Sequence, residues 1–205
     1  MTERAQALSP PTVAVADPDP EAALVARYAA GEAAAARALA ERLVPRLISV
    51  AARMLGGDRA EAEDIAQETM LRLWRAAPAW RPAEARVATW AYRVAVNLAT
   101  DRLRRKGRGV APLDAVAEPE DGRPGALSGM VEAARLAALD RALAALPERQ
   151  RQAVVLRHIE GLSNPEIAAI LDVGVEAVES LTARGKRALA QALAGRREDL
   201  GDGDD

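Results

Sequence analysis

From Glu21 onward the apolar residues of this chain return at three- and four-residue intervals, with polar residues filling the positions between. That period marks amphipathic helices, and no stretch alternates as a half-buried strand would. It predicts helices over about 21–30, 32–55, 59–77 and 84–106, and then over 130–146, 148–159, 165–171 and 175–193. Gly56-Gly57 stops the second helix, and a loop holding Pro78 and Pro82 separates the third from the fourth. Residues 1–20, with Pro10, Pro11, Pro18 and Pro20 and little to bury, read as a disordered arm. Residues 107–129 hold Pro112, Pro119, Pro124 and five glycines without a helical period, and read as a linker. The expected fold class is therefore all-α, two small helical domains joined by a flexible linker. An N-terminal bundle covers 21–106, a second helical domain covers 130–195, and 196–205 form an acidic tail.

Charge changes this picture more than composition does. The formal net charge is only −2, but residues 58–68 hold five acids and one Arg, whereas residues 72–108 hold ten basic groups and two acids. A polyanion responds to the local field, so the basic segment is more informative than the total. The chain has no cysteine, which removes disulfides, thiolate metal sites and cysteine nucleophiles and fits a reducing cytoplasm. Apolar stretches are broken by charges well before twenty residues, and the N-terminus lacks a signal peptide's apolar core, so a cytoplasmic protein without membrane insertion is expected. His158 is the only histidine and has no acids at metal-ligand spacing. There is no phosphate-cradling glycine loop and no nucleophile motif, so the expectation is no enzyme, no metal and no cofactor.

Projected at 100° per residue, the third helix places Ala62, Ile65, Ala66, Thr69, Met70, Leu73 and Ala77 on one arc, which must face a core. The opposite arc carries Asp64, Gln67, Glu68, Leu71 and Arg75. An apolar Leu71 framed by carboxylates and an amide suits a protein-binding patch, and equally a solvated face with one stray leucine.

The fourth helix has two apolar arcs, Val87, Ala91, Val94 and Leu98 on one and Tyr92, Val96, Ala99 and Leu103 on the other. Between them runs a stripe of Arg86, Arg93, Asn97, Thr100 and Arg104, with Trp90 at its edge. A helix apolar on both sides is wedged into its bundle, and the stripe is its outlet to solvent. Arginines neutralise phosphates and Asn can pair with a base edge, so the stripe suits nucleic acid; a merely solvated face is the alternative. The cluster Arg102, Arg104, Arg105, Lys106 and Arg108 favours a polyanion. Four of the five aromatic residues, Trp74, Trp80, Trp90 and Tyr92, lie within nineteen positions. Trp74, Trp90 and Tyr92 are expected to pack in the local core, with Trp80 left as a candidate for touching a ligand.

In the second half, Ser163 and Glu166 form a capping-box pattern with Pro165 in the first turn. Asp172-Val173-Gly174 supplies a turn, and a second helix follows with Val175, Val178, Thr182, Gly185, Leu189 and Leu193 on its expected buried side. Its other side holds Glu176, Ser180, Ala183, Arg184, Arg187 and Gln191, a plausible recognition surface for a major groove, with an ordinary helical hairpin as the alternative.

The runs AEDIAQETMLRLWRAAPAWRP, VATWAYRVAVNLATDRLRRKGR and LPERQRQAVVLRHIEGLSNPEIAAILDVGVEAVESL, in this order around a linker, resemble bacterial RNA polymerase sigma factors of the extracytoplasmic-function (ECF) type over about residues 20–195. The resemblance implies a promoter-specificity factor. Its partners would be core RNA polymerase, through the β′ clamp helices and the β subunit, promoter DNA, and an anti-sigma factor. It implies that Asp64, Gln67, Glu68 and Leu71 dock on polymerase. Trp80, Arg81, Glu84 and Arg86 would belong to the element that takes a flipped-out base of the −10 element, with Arg93, Asn97, Thr100, Arg104 and Arg105 making further −10 contacts. Glu176, Ser180, Arg184, Lys186 and Arg187 would lie on the −35 reader. The start of that reader departs from the family's usual pattern, with Glu176, Ala177, Glu179 and Leu181 where several basic residues are common, so its contacts are expected to shift toward Arg184, Lys186 and Arg187. Two rivals stand beside this reading: a free-standing helix-turn-helix regulator, and an all-α adaptor that binds polymerase but no DNA.

Overall fold

The computed structural model describes the backbone of residues 19–81, 86–108 and 126–199, and the side chains of 19–81, 86–106 and 134–194. The expected arm over 1–18, Glu84, the middle of the expected linker and the last six residues lie outside the described residues. The first half contains α1 (Pro20–Ala29), α2 (Ala33–Met54), α3 (Arg59–Ala76), a 3₁₀ turn at Ala77–Ala79, and α4 (Val87–Arg108). The second contains α5 (Ala126–Ala144), α6 (Glu148–Val154), a π-helical turn at Val155–Ile159, α7 (Asn164–Leu171) and α8 (Val175–Asp199). No strand occurs among the described residues.

Helix α2 organises the first half because its buried residues Leu39, Leu43, Leu47, Val50 and Met54 recur every three or four positions and form one unbroken apolar stripe. Against it lie the expected arc of α3, with Ala62, Ile65, Ala66, Thr69, Met70, Leu73 and Ala77 all buried, and the inner side of α4, with Val87, Ala91, Tyr92, Ala95, Val96 and Ala99. Thr69 is tolerated there because its hydroxyl donates to the Ile65 carbonyl at 2.8 Å. Val94, Leu98 and Leu103, expected on the buried arcs, are only half-buried.

The ends of several helices differ from the reading of the sequence. Asp19 and Pro20, assigned to the arm, are structured: the Asp19 carboxylate caps α1 by accepting from the Glu21 amide at 3.1 Å and also accepts from the Val87 amide at 2.8 Å, so one side chain serves two helices. Helix α5 begins at Ala126, inside the expected linker, one residue past the Pro124-Gly125 break. Helix α8 runs on to Asp199, into the expected acidic tail. The helix expected over 148–159 changes its hydrogen-bonding at Val155, where a wider π turn carries the chain to Glu160 and Gly161.

The two halves are bundles of their own, and they also pack together, so that one apolar core continues from Leu47 and Val50 into Leu143, Leu146, Val155, Leu156 and Ile167. Within the second half α8 crosses α6 at Gly185. A Cβ built there would lie 2.6 Å from Val154 Cγ2 and 3.1 Å from the Gln150 carbonyl oxygen. Gly185→Ala is expected to lower stability by about 1–3 kcal/mol through overpacking, outweighing the ~1 kcal/mol that Ala gains over Gly in a helix. A drop in the urea midpoint at unchanged slope is the expected reading, and a rise would contradict this packing.

Candidate nucleic-acid interface

The outward face of α3 is built by its own start. Asp58 caps the helix, accepting from the Glu61 amide at 3.1 Å, and its second oxygen pairs with Lys106 at 2.9 Å. Burial alone would raise the Asp58 pKa, but the Lys106 and Glu61 hydrogen bonds outweigh it and hold the carboxyl below its ordinary range. Arg102 pairs with Glu61 and ties α4 to the same turn. On the face so fixed, Asp64, Gln67 and Leu71 are exposed, and Glu68 pairs with Arg72 at 2.8 Å. Leu71 is 48% exposed and forms a ridge between two hollows. One, of about 560 Å³, is walled by Val44, Ile48, Met70 and Trp74; the other reaches Leu98, Arg102 and Arg105 of α4. The face therefore offers a desolvatable centre with acids at its rim.

On α4, Tyr92 is 1% exposed, and its hydroxyl donates to Glu160 Oε2 at 2.5 Å while the Arg46 guanidinium lies over its ring at 5.3 Å. Burial, and then the Glu160 bond, push the Tyr92 phenol well above its ordinary value. Trp90 and Trp80 meet edge to face, with centroids 5.7 Å apart. Trp80, kept as the aromatic free to touch a ligand, is thus part of this packing, and its indole N–H is buried without a partner among the described residues. Tyr28 and Trp74 form a second ring contact at 4.6 Å.

Four of the stripe's five residues, Arg86, Arg93, Asn97 and Arg104, are exposed as expected, and the second half borders them. Arg86 is 3.7 Å from Glu166, Thr100 accepts from the Gln152 amide at 2.9 Å, and Arg104 is 3.4 Å from Glu148. Arg93 and Asn97 are exposed, but into a cleft of about 410 Å³ whose far wall is Glu148, Arg149, Gln152 and Asp172. Arg105 and Arg81 are exposed beyond the cleft, and Glu84 lies outside the described residues. The reading of the sequence missed Glu148, Gln152 and Glu166 as neighbours of the stripe; the signal available was charge, two acids in the second half facing a strongly basic segment of the first.

The helix-turn-helix is built as its capping box predicts. The Ser163 hydroxyl and amide bond the Glu166 carboxylate at 2.7 and 2.9 Å. Burial works to raise the Glu166 pKa, but the Ser163 bonds and the Arg86 charge together hold it below its ordinary value. The left-handed residue of the turn is Asp172, at φ 55°, a conformation that Asp tolerates better than most side chains. Along α8, Val178 and Gly185 are buried, Thr182, Leu189 and Leu193 half-buried, and Glu176, Ser180, Arg184, Lys186 and Arg187 exposed. Val175, expected on the buried side, is 41% exposed because it opens the helix ahead of the turn that packs.

Two segments of the chain match known families, Sigma-70 region 2 over residues 39–109 and Sigma-70 region 4 over residues 136–189. The ECF RNA polymerase sigma factor SigM of Mycobacterium tuberculosis is 36% identical over 174 residues, covering 84% of this chain and 84% of that protein. SigE of Mycolicibacterium smegmatis is 38% identical over 144 residues, covering 68% of this chain and only 54% of SigE. Among solved structures, CnrH in complex with the cytosolic domain of CnrY aligns with a TM-score of 0.65 at 26% identity, over 85% of this chain and 97% of CnrH. The sigma factor RpoE from Bartonella quintana, in complex with the anti-sigma factor NepR, shares the fold at a TM-score of 0.58 and 21% identity, over 77% of this chain and 96% of RpoE.

Proposed function

The chain belongs to the ECF RNA polymerase sigma factors, and from that membership we propose how its surfaces share the work of transcription initiation. It is an initiation factor that binds core RNA polymerase, brings it to promoter DNA and is held in check by an anti-sigma factor. Residues 21–106 engage polymerase and the −10 element, residues 130–195 read the −35 element, and the segment between joins them. The face of Asp64, Gln67, Glu68 and Leu71 docks on the β′ clamp helices. Arg86, Arg93, Asn97, Thr100, Arg104 and Arg105, with Trp80, Arg81 and Glu84 ahead of them, form the −10 surface. Glu176, Ser180, Arg184, Lys186 and Arg187 form the −35 surface. The protein contributes no catalytic residue and works in the cytoplasm, a reading that fits the lack of any described helix long and apolar enough to cross a membrane.

The observation that supports this best is that one chain carries both sigma regions in order, with an exposed apolar-centred acidic face in the first and an exposed basic recognition helix in the second. A free-standing helix-turn-helix regulator leaves the first of these without a use.

Run-off transcription with purified core polymerase over a library of upstream regions tests the whole reading, and absence of both core binding and initiation would reject it. Leu71→Glu should weaken core binding by about 10- to 100-fold, the worth of burying one leucine side chain, while leaving thermal stability nearly unchanged, since this side chain is half exposed. Asn97→Ala should reduce promoter-dependent initiation on the order of tenfold, the lower part of the range for losing a paired base contact, with core binding intact. Equal loss of both would remove the role assigned to Asn97.

A further inference from the structure

Residues 82–86, directly ahead of α4, read PAEAR and hold no Ser, Thr, Asp or Asn, the side chains that ordinarily cap a helix start. Arg86, the last of them, has a side chain that only donates. Val87 is fully buried, so its amide must find an acceptor within the protein. That acceptor is Asp19 Oδ2 at 2.8 Å, 68 residues away along the chain. The other oxygen, Oδ1, accepts from the Glu21 amide at 3.1 Å and caps α1. Two helix starts thus share one carboxylate, whose charge also suits the positive end of both helix dipoles.

Asp19 is itself well anchored. Its carbonyl accepts from the Ala22 amide at 3.1 Å, and the helix behind it buries Leu24 and Val25 and sets Tyr28 against Trp74 near its far end. Helix α1 also touches both the 3₁₀ turn at Ala77–Ala79 and α4. It therefore braces the chain on the side that leads into Trp80 and Arg81 and on the side that follows Arg86. Burial of Val87 fixes the depth of α4 in the core but is indifferent to the direction in which the chain enters the helix. The hydrogen bond to Asp19 is directional and sets that entry. Trp90, one turn further on, meets Trp80 edge to face, so the entry of α4 also sets where this aromatic pair lies.

We propose that Asp19, which lies outside every surface assigned above, is a positioning residue for −10 recognition: it fixes the entry to α4 before DNA arrives, so that Trp80, Arg81 and Arg86 need no ordering when they take the strand. This rests on the −10 surface assigned under Proposed function. Asp19 touches no DNA in this role, since a carboxylate repels phosphate and both its oxygens already accept from amides. Without its bond to Val87, the freedom of the helix entry is lost on binding instead, and affinity falls by that amount.

Asp19→Ser separates the two duties. Serine caps a helix as well as aspartate does, so α1 keeps its start, but one oxygen replaces two and the Val87 amide loses its acceptor. Holoenzyme is assembled from core polymerase and the full chain, and its affinity is measured for a single-stranded oligonucleotide carrying the −10 sequence of a promoter found by run-off transcription. The variant should bind about tenfold more weakly, the order of one hydrogen bond to a charged group. Assembly with core and binding of the full chain to duplex −35 DNA should be unchanged. The comparison is repeated with each base of the oligonucleotide in turn replaced by an abasic site. At the base that the −10 surface captures, its removal should bring the wild type down to the level of the variant, because the two losses act through one contact and do not add. At the other positions the gap should persist.

Unchanged affinity of the variant for the intact oligonucleotide overturns the inference. So does a gap that survives at every abasic position, as a general loosening of the fold would give, or an equal loss of core assembly. If Asp19→Ser does not fold, Asp19→Thr, which also caps with a single hydroxyl, decides by the same measurements. A wild-type holoenzyme whose affinity no abasic substitution lowers is a different result: it removes the −10 assignment itself, and the inference with it.

Discussion

The hydrogen bond from Tyr92 to Glu160, with Arg46 beside it, sets how α4 sits in both halves. The Tyr92 ring fills the seam between α2 and α4, and a hydroxyl buried so deeply must find an acceptor. The acceptor comes from the second half, on the residue just past the π turn, and its own side chain is only 6% exposed. With the phenol pKa pushed far upward, the proton of this bond stays on Tyr92. The contact is directional: a shift of either half would leave a buried carboxylate or a buried hydroxyl unpaired, at a cost of several kcal/mol for the charged group. It therefore fixes where the halves meet more than how tightly they hold, because separation returns both groups to water.

The rest of the meeting surface has the same character. Arg104 and Arg86 are more than half exposed, so their pairs with Glu148 and Glu166 are each worth at most about 1 kcal/mol and weaken with salt. Arg53 and Asp140, at 2.5 Å and both largely buried, and Arg151, which donates to the Met54 carbonyl at 2.5 Å, are the firmer polar ties. Burial pushes the Arg151 guanidinium down, and its Nε has no partner among the described residues, so that position is satisfied only in part. Apolar contact through Leu143 and Leu146 adds the non-directional share. Polar contacts of this kind between domains favour relative motion over permanent union.

Most of this fold was legible from apolar spacing, since a buried arc repeats in sequence just as it repeats in space. The inner arc of α3 and the capping box at Ser163 were read correctly for that reason. What escaped the reading was non-local. Asp19 caps a helix that starts 68 residues later, and nothing in its proline-rich neighbourhood signals that partner. The π turn at Val155 changes hydrogen bonding without changing the apolar pattern. Helix α8 overran its expected end because charged residues carry no strong penalty against helix propagation. The α4 stripe was recognised as polar and open, but its pairs with the second half were not seen, because an arginine facing water and an arginine facing another domain's glutamate look alike along the chain. The contact of Trp80 with Trp90 was not seen either, since the two lie ten residues apart across a loop.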